Sequence, residues 1–275
     1  MAITTIREFG IVDMWQNGIR AGRYVLRHPR WAAGLLRAVV TGRSNRGYCA
    51  VCRRRTVFVE REPWLRDFYQ CVRCHSIPRQ RALLHVLQDQ FPKWRDYAIH
   101  ESSPAGAASI VLKRDCRRYI ESQFWPDVAP GVVHEGVRCE NLEASTFADG
   151  SLDLVITQDV LEHVLWPDRA FADIARTLRV GGCHVFTVPI YERDQTVVRA
   201  VEQNGKINYL QPPDYHGNPI DPNGSLVVRE WGRDLPDYIR QHSGLVTIVL
   251  GFRDRSLGLD GEFLHVLISR KVGPA

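Results

Sequence analysis

Two cysteine pairs, Cys49-Ala-Val-Cys52 and Cys71-Val-Arg-Cys74, constrain this chain more than any other feature. Each CxxC turn places two thiolates on one side of a tight knuckle, and the 18 residues between the pairs let the knuckles meet around one ion. Four thiolates in a tetrahedral shell suit zinc and leave no open coordination position, so the expected site is structural. Its ligands are predicted to be Cys49, Cys52, Cys71 and Cys74. Zinc would supply on the order of 10 kcal/mol of folding free energy to a segment with little core of its own. Redox chemistry needs only one pair, and that pair usually sits beside a strand–helix–strand unit, which these cysteines precede. The remaining cysteines, Cys116, Cys139 and Cys183, are scattered and read as packing residues. An odd total of seven, with no export signal at the start, argues against a disulfide framework.

Charge divides the chain as the cysteines do. Residues 1–95 hold 18 Lys and Arg against 6 Asp and Glu, whereas residues 96–275 hold 18 against 25. Within the basic part, residues 14–41 alternate apolar and basic groups at helical spacing, with Pro29 between two helices. These helices either pack through a solvated basic face or meet an anionic partner, lipid headgroups or nucleic acid. No apolar run approaches the 18 or more residues of a membrane span, and the expected location is cytoplasmic. The expected organisation is a basic helical region at 1–47, a zinc ribbon at 48–82 and a catalytic domain at 83–275.

From residue 96 short apolar runs alternate with helical segments, the signature of a doubly wound α/β sheet. Tyr97–His100 reads as the first strand, Arg118–Glu121 as the second, and Val132–Glu135 with Val137–Cys139 as the approach to a third. Leu152–Thr157 and Cys183–Pro189 follow, separated by a helix over Trp166–Leu178 that Gly181-Gly182 is expected to stop. Leu245–Leu250 and Phe263–Ser269 read as a closing antiparallel hairpin. In such a sheet a nucleotide-type cofactor binds at the carboxyl ends of the strands. The first strand runs into small residues around Ser102 and Gly106, where a backbone can approach a ligand closely. Glu121 ends the second strand, where an acidic side chain grips ribose hydroxyls.

The stretch FADGSLDLVITQDVLEHV (147–164), followed by IARTLRVGGCHVFTVP (174–189), makes the reading specific. It resembles the class I S-adenosylmethionine-dependent methyltransferases of the type 11 group, over roughly residues 96–270. DYHGNPIDPNGSLVVREWG (214–232) and Ser76–Leu83 resemble segments of a subgroup that carries an N-terminal CxxC pair. The resemblance implies a Rossmann-like methyltransferase sheet and S-adenosylmethionine as cofactor. It implies Glu101, Ser102 and Gly106 in the first cofactor loop and Glu121 at the ribose. It further implies Asn141 and Leu142 beside the adenine, and Gln158, Asp159 and His163 beside the sulfonium. Two features depart from the pattern: Asn141 stands where an acid is usual, and the first loop lacks a GxGxG form.

Methyl transfer needs alignment of acceptor and methyl more than covalent help from the protein. A hydroxyl acceptor also benefits from a base, and His163 and His216 are the candidates. The expected acceptor is a small molecule or glycan, methylated at oxygen. RNA held by the basic zinc-bearing front stays open as an alternative. A non-catalytic cofactor-binding module is a third. Sequence leaves the oligomeric state open.

Overall fold

The cysteine knuckles and the strand–helix alternation build two sheets that share one core. The computed structural model describes residues 38, 40–218 and 221–273, so the basic helices expected over 14–41 lie outside the described residues, apart from Ala38 and Val40. The first sheet is antiparallel, with β1 (Ser44–Cys49), β2 (Arg54–Glu60) and β3 (Tyr69–Cys71) in that order. The first knuckle closes the β1–β2 turn, where Cys49 pairs with Arg54, and the second follows β3 directly. A single-turn helix, α1 (Leu65–Phe68), leads into β3. Helix α2 (Pro78–Gln90) then opens with proline at its first position. Ile77 before it is extended, as a residue preceding proline must be, and Gln80 Oε1 accepts from the Ile77 N–H at 3.3 Å.

The large sheet follows: β4 (Ala98–Ser102), α3 (Gly106–Asp115), β5 (Arg118–Gln123), β6 (Val133–His134), β7 (Val137–Cys139), β8 (Leu152–Gln158), α4 (Pro167–Thr177) and β9 (Leu178–Thr187). An insertion contributes three short antiparallel pairs. They are β10 (Val197–Val198) with β15 (Arg229–Glu230), β11 (Ala200–Gln203) with β12 (Lys206–Tyr209), and β13 (Tyr215–His216) with β14 (Ser225–Leu226). Helix α5 (Leu235–Ser243) and the hairpin β16 (Val246–Gly251) and β17 (His265–Arg270) finish the chain. The sheet order is β16-β17-β9-β8-β4-β5-β7-β6. Strands β7, β5, β4, β8 and β9 run parallel, and the final hairpin joins antiparallel as the sequence suggests.

Alternation along β8 shows why this sheet is covered on both sides. Leu154 and Ile156 pack into one apolar core with α2, α3 and the cysteine ribbon, whereas Val155 packs into another with α4 and α5. The fold is therefore doubly wound α/β. The ribbon is not an appendage, because Phe58, Tyr69 and the four cysteines belong to the same core as Leu83, Ile99 and Val266. Arg81 joins the two parts. It is fully buried, donates to the carbonyls of Tyr69 and Gly258, and stacks on the rings of Phe58 and Tyr69.

One expectation changes. Gly181-Gly182 does not stop a helix: α4 ends at Thr177, and Leu178 already has extended backbone leading into β9. The glycines instead lie in an irregularity of β9, where partners of β8 jump from Leu178 to Cys183. Gly181 has a φ of +80°, and a Cβ on Gly182 would come within 3.0 Å of the Asp153 carbonyl oxygen. Among the described residues no helix is long and apolar enough to cross a membrane.

Two histidines lie inside the sheet. His100 sits 2.7 Å from Ser122 Oγ, and His184 sits 3.0 Å from Thr157 Oγ1 while stacking on Phe186. Burial pushes His100 down to about 4 and His184 to about 3, so both stay neutral in the folded chain. The unfolded chain takes up protons near 6.5, so stability falls as pH drops from about 6.5 toward 4. His184→Gln is expected to flatten this loss, measured as the urea midpoint across that pH range. An unchanged slope would contradict the assignment.

Candidate active site

The chain order reverses between β4 and β8, and of the residues named from sequence Glu101, Ser102, Gln158 and Asp159 lie at the carboxyl ends of these two strands. Glu101 is fully buried near the end of β4. Its carboxylate accepts from Ser109 Oγ (2.7 Å), Tyr119 OH (2.6 Å) and Gln158 Nε2 (2.7 Å). Burial pushes this carboxyl up, against the opposing effect of those three donors. Gln158 thereby spends its amide nitrogen on Glu101, and its Oε1 is buried with no hydrogen-bond partner. A buried acceptor without a donor is what an ammonium or amide group of a ligand satisfies.

Ser102 is buried beside Ser122 and Thr157 in register. Gly106, at a φ of +78°, opens α3, where Ala105 offers no capping side chain. A Cβ on Gly106 would fall 1.9 Å from the Gln80 amide, so a larger residue there would have to push that side chain aside and would also be strained by the positive φ. Glu121 stands opposite Glu101 in register, half-buried and paired with Lys113. Asn141 and Leu142 follow β7. The Asn141 side chain accepts from the Glu143 N–H at 2.9 Å, while Leu142 belongs to the core beneath α4. No hydrogen bond among the described residues ties these two to Glu101 or Gln158.

Asp159, immediately after β8, is held from the ribbon side. Arg66 Nη2 lies 2.7 Å and Arg79 Nε 3.3 Å from its Oδ2, and Thr187 Oγ1 donates to Oδ1 at 2.9 Å. Burial alone would raise this carboxyl, but the two guanidinium groups outweigh it and hold it below the usual range. Arg66 is itself buried and donates to the Phe263 carbonyl. Arg79 also pairs with Asp67, so it is not available to offset thiolates; Arg81 is the buried cation whose charge acts on Cys49, Cys71 and Cys74.

The turn after Asp159 carries Glu162 and His163, and the insertion lays His216 over it. The His163 and His216 rings meet edge-on with centroids 5.1 Å apart. His163 Nδ1 lies 2.9 Å from the Leu226 carbonyl, and the Val228 N–H donates to the Glu162 carbonyl at 2.8 Å. Burial holds His163 down at about 4 and Glu162 up at about 8, the latter reinforced by Asp159.

The four predicted cysteine ligands are all buried and reduced, and their sulfurs lie within 4.8 Å of one another. Cys49 and Cys74 sulfurs are 3.6 Å apart and those of Cys52 and Cys71 are 4.0 Å apart. Sulfurs bound tetrahedrally at zinc distance would be separated by about 3.8 Å, a spacing these two pairs already approach.

Sequence reading missed Glu162, Arg66, Arg79 and Gln80. Glu162 carried a signal: an acid beside a histidine in the otherwise apolar Val-Leu-Glu-His-Val run. The two arginines carried none, because only tertiary packing separates them from the other basic residues of the front.

Residues 105–186 match the methyltransferase domain family. A search of curated proteins returned no match. Among solved structures, the chain is similar to one from the complex of the Haloferax volcanii Trm112 methyltransferase activator with a methyltransferase. Identity is 12%, coverage is 72% of this chain and 91% of that one, and the TM-score is 0.46. It is also similar to an S-adenosylmethionine-dependent methyltransferase from Mesorhizobium loti (15% identity, 69% and 97% covered, TM-score 0.45). A third is the Burkholderia thailandensis 1,6-didemethyltoxoflavin-N1-methyltransferase (15% identity, 71% and 79% covered, TM-score 0.43).

The arginine clamp gives a stability prediction. Arg66→Ala leaves Asp159 with Arg79 alone and strands the Phe263 carbonyl. A loss of about 3 kcal/mol is expected in denaturant unfolding, within the range for breaking a buried ion pair. A loss under about 0.5 kcal/mol would mean that the pair is not formed in solution.

Proposed function

We propose that this chain transfers a methyl group from S-adenosylmethionine to an oxygen of a small molecule or glycan, and that its four cysteines hold a structural zinc ion. The observation that carries the cofactor reading is the unpartnered Gln158 Oε1 beside the buried Glu101, at the reversal point of the sheet. In this reading Glu101, Ser102, Gly106 and Gln158 receive the amino-acid end of the cofactor, Glu121 its ribose and Asn141 with Leu142 its adenine. Asp159 and His163 flank the reacting end. When bound, the cofactor supplies a sulfonium methyl with its own leaving group.

The acceptor is proposed to enter from the insertion side, where the His163 and His216 rings meet. His216, less buried than His163, is the better placed to accept a hydroxyl proton, with Glu162 behind it. We assign the ribbon to begin with β1 at Ser44, ahead of the boundary at residue 48 expected from sequence, and the catalytic domain to follow from residue 83.

An RNA acceptor has one specific support. Arg46, Tyr48 and Arg55 are exposed on one face of the ribbon sheet, Tyr48 directly opposite Arg55. Basic groups around an exposed aromatic suit a single strand, and binding that weakens steeply with salt would favour this acceptor.

Calorimetry with S-adenosylmethionine tests the cofactor reading. Binding is expected in the folded, zinc-loaded chain, weakened about tenfold or more by Glu121→Ala through the loss of a charged hydrogen bond. No binding to the folded chain would end the enzyme reading, and undiminished binding in Glu121→Ala would remove that residue from the site. Chelation of the thiolate-bound ion is expected to melt the ribbon and to lower cofactor affinity with it, because Gln80 and Arg79 leave the loop and Asp159. Circular dichroism melts with metal analysis measure the first effect, and calorimetry the second.

A further inference from the structure

The Glu162 carboxylate is buried, with its side chain 3% exposed, and neither oxygen has a hydrogen-bond partner. Leaving a carboxyl unsatisfied in the interior is costly, and proteins normally pair such a group or place it on a metal. The neighbouring guanidinium groups do not satisfy it, because Arg66 and Arg79 bond Asp159 instead. Two imidazoles face it: His163 Nε2 lies 3.9 Å and His216 Nδ1 4.0 Å from Glu162 Oε1. One donor atom from each of the three residues lies within 4.8 Å of the other two.

We propose that Glu162, His163 and His216 form a second metal site, a three-ligand site for a divalent first-row transition ion. His163 is set up as a ligand. Its Nδ1 is 2.9 Å from the Leu226 carbonyl, which fixes the proton on Nδ1 and leaves the Nε2 lone pair toward Glu162. The hairpin that carries His216 is pinned to the same turn, since the Val228 and Arg229 N–H groups both donate to the Glu162 carbonyl. Atoms bound to one ion at about 2.0–2.2 Å stand roughly 3–3.5 Å apart, so the site closes by movements on the order of 1 Å. His216, on a two-residue strand and 40% exposed, is free to supply it.

Two imidazoles and one carboxylate suit Zn²⁺, Mn²⁺, Fe²⁺ or Co²⁺ and leave coordination positions open, unlike the closed cysteine shell. An acceptor hydroxyl bound there would be acidified by the ion, which would then take the place of His216 as base, since the ion holds the imidazole lone pair. Ion binding itself does not rest on the methyl-transfer reading, and its test needs no cofactor.

The test uses the full tag-free chain with its cysteine site loaded with zinc. Mn²⁺, a poor competitor for thiolates, is titrated and the free ion followed by electron paramagnetic resonance. One Mn²⁺ per chain is expected to bind. His216→Ala, on the exposed hairpin, is expected to weaken binding by at least the roughly ten- to hundredfold that loss of a supporting partner costs, and Glu162→Gln to abolish it. Co²⁺ added to the same zinc-loaded chain should give visible d–d bands without sulfur charge transfer. The inference is overturned if neither ion binds up to millimolar concentration. It is also overturned if His216→Ala and Glu162→Gln, both folded by circular dichroism, bind as tightly as the parent chain.

Discussion

The Arg66–Asp159–Arg79 clamp is the interaction on which the arrangement of the active site depends. Asp159 follows directly on the last residue of β8, at a backbone φ of +53°, a conformation that a non-glycine residue holds only when its surroundings impose it. Two cations from outside the sheet impose it, one on the single-turn helix before β3 and one on the second residue of α2. Their position in turn requires that the ribbon be folded, since α1 lies between its strands and α2 leaves its second knuckle. A site at the carboxyl edge of a parallel sheet is therefore finished by a segment that precedes the sheet in the chain.

Much of this was legible in the sequence. The CxxC spacing anticipated four converging sulfurs, because knuckle geometry is local and depends on few residues. The strand over Leu152–Thr157 was readable because alternate residues must serve two separate cores. What could not be read was tertiary. Gly181-Gly182 looked like a helix stop, since glycine signals a break without saying what breaks; here it is the pairing of β9, not α4. Arg79 lies close in sequence to the second knuckle, yet it pairs with Asp67 and Asp159 and not with the sulfurs. The buried cation near the sulfurs is Arg81, two residues on. Glu162 was passed over because a single acid in an apolar run gives no hint of whether it will find a partner.

His163 and His216 lie more than fifty residues apart, yet the insertion brings them into edge-on contact. The joint is made by backbone: the Glu162 carbonyl accepts two N–H groups from the strand leaving the hairpin, so the meeting does not rely on side-chain identity. This leaves the side chains of Glu162, His163 and His216 free for chemistry while the main chain does the docking.

The core shared by the ribbon and the sheet also has a thermodynamic reading. Leu83, Ile99 and Val266 pack in one cluster with the cysteine knuckles, so ordering either part lowers the cost of ordering the other. Linkage makes such an effect reciprocal. On the proposed zinc reading, an ion captured by the thiolates would tighten the pocket at Gly106, and by the same factor a ligand filling that pocket would tighten the hold on the ion. Such a chain would act as a two-input device, in which metal supply sets ligand affinity and ligand supply sets metal affinity.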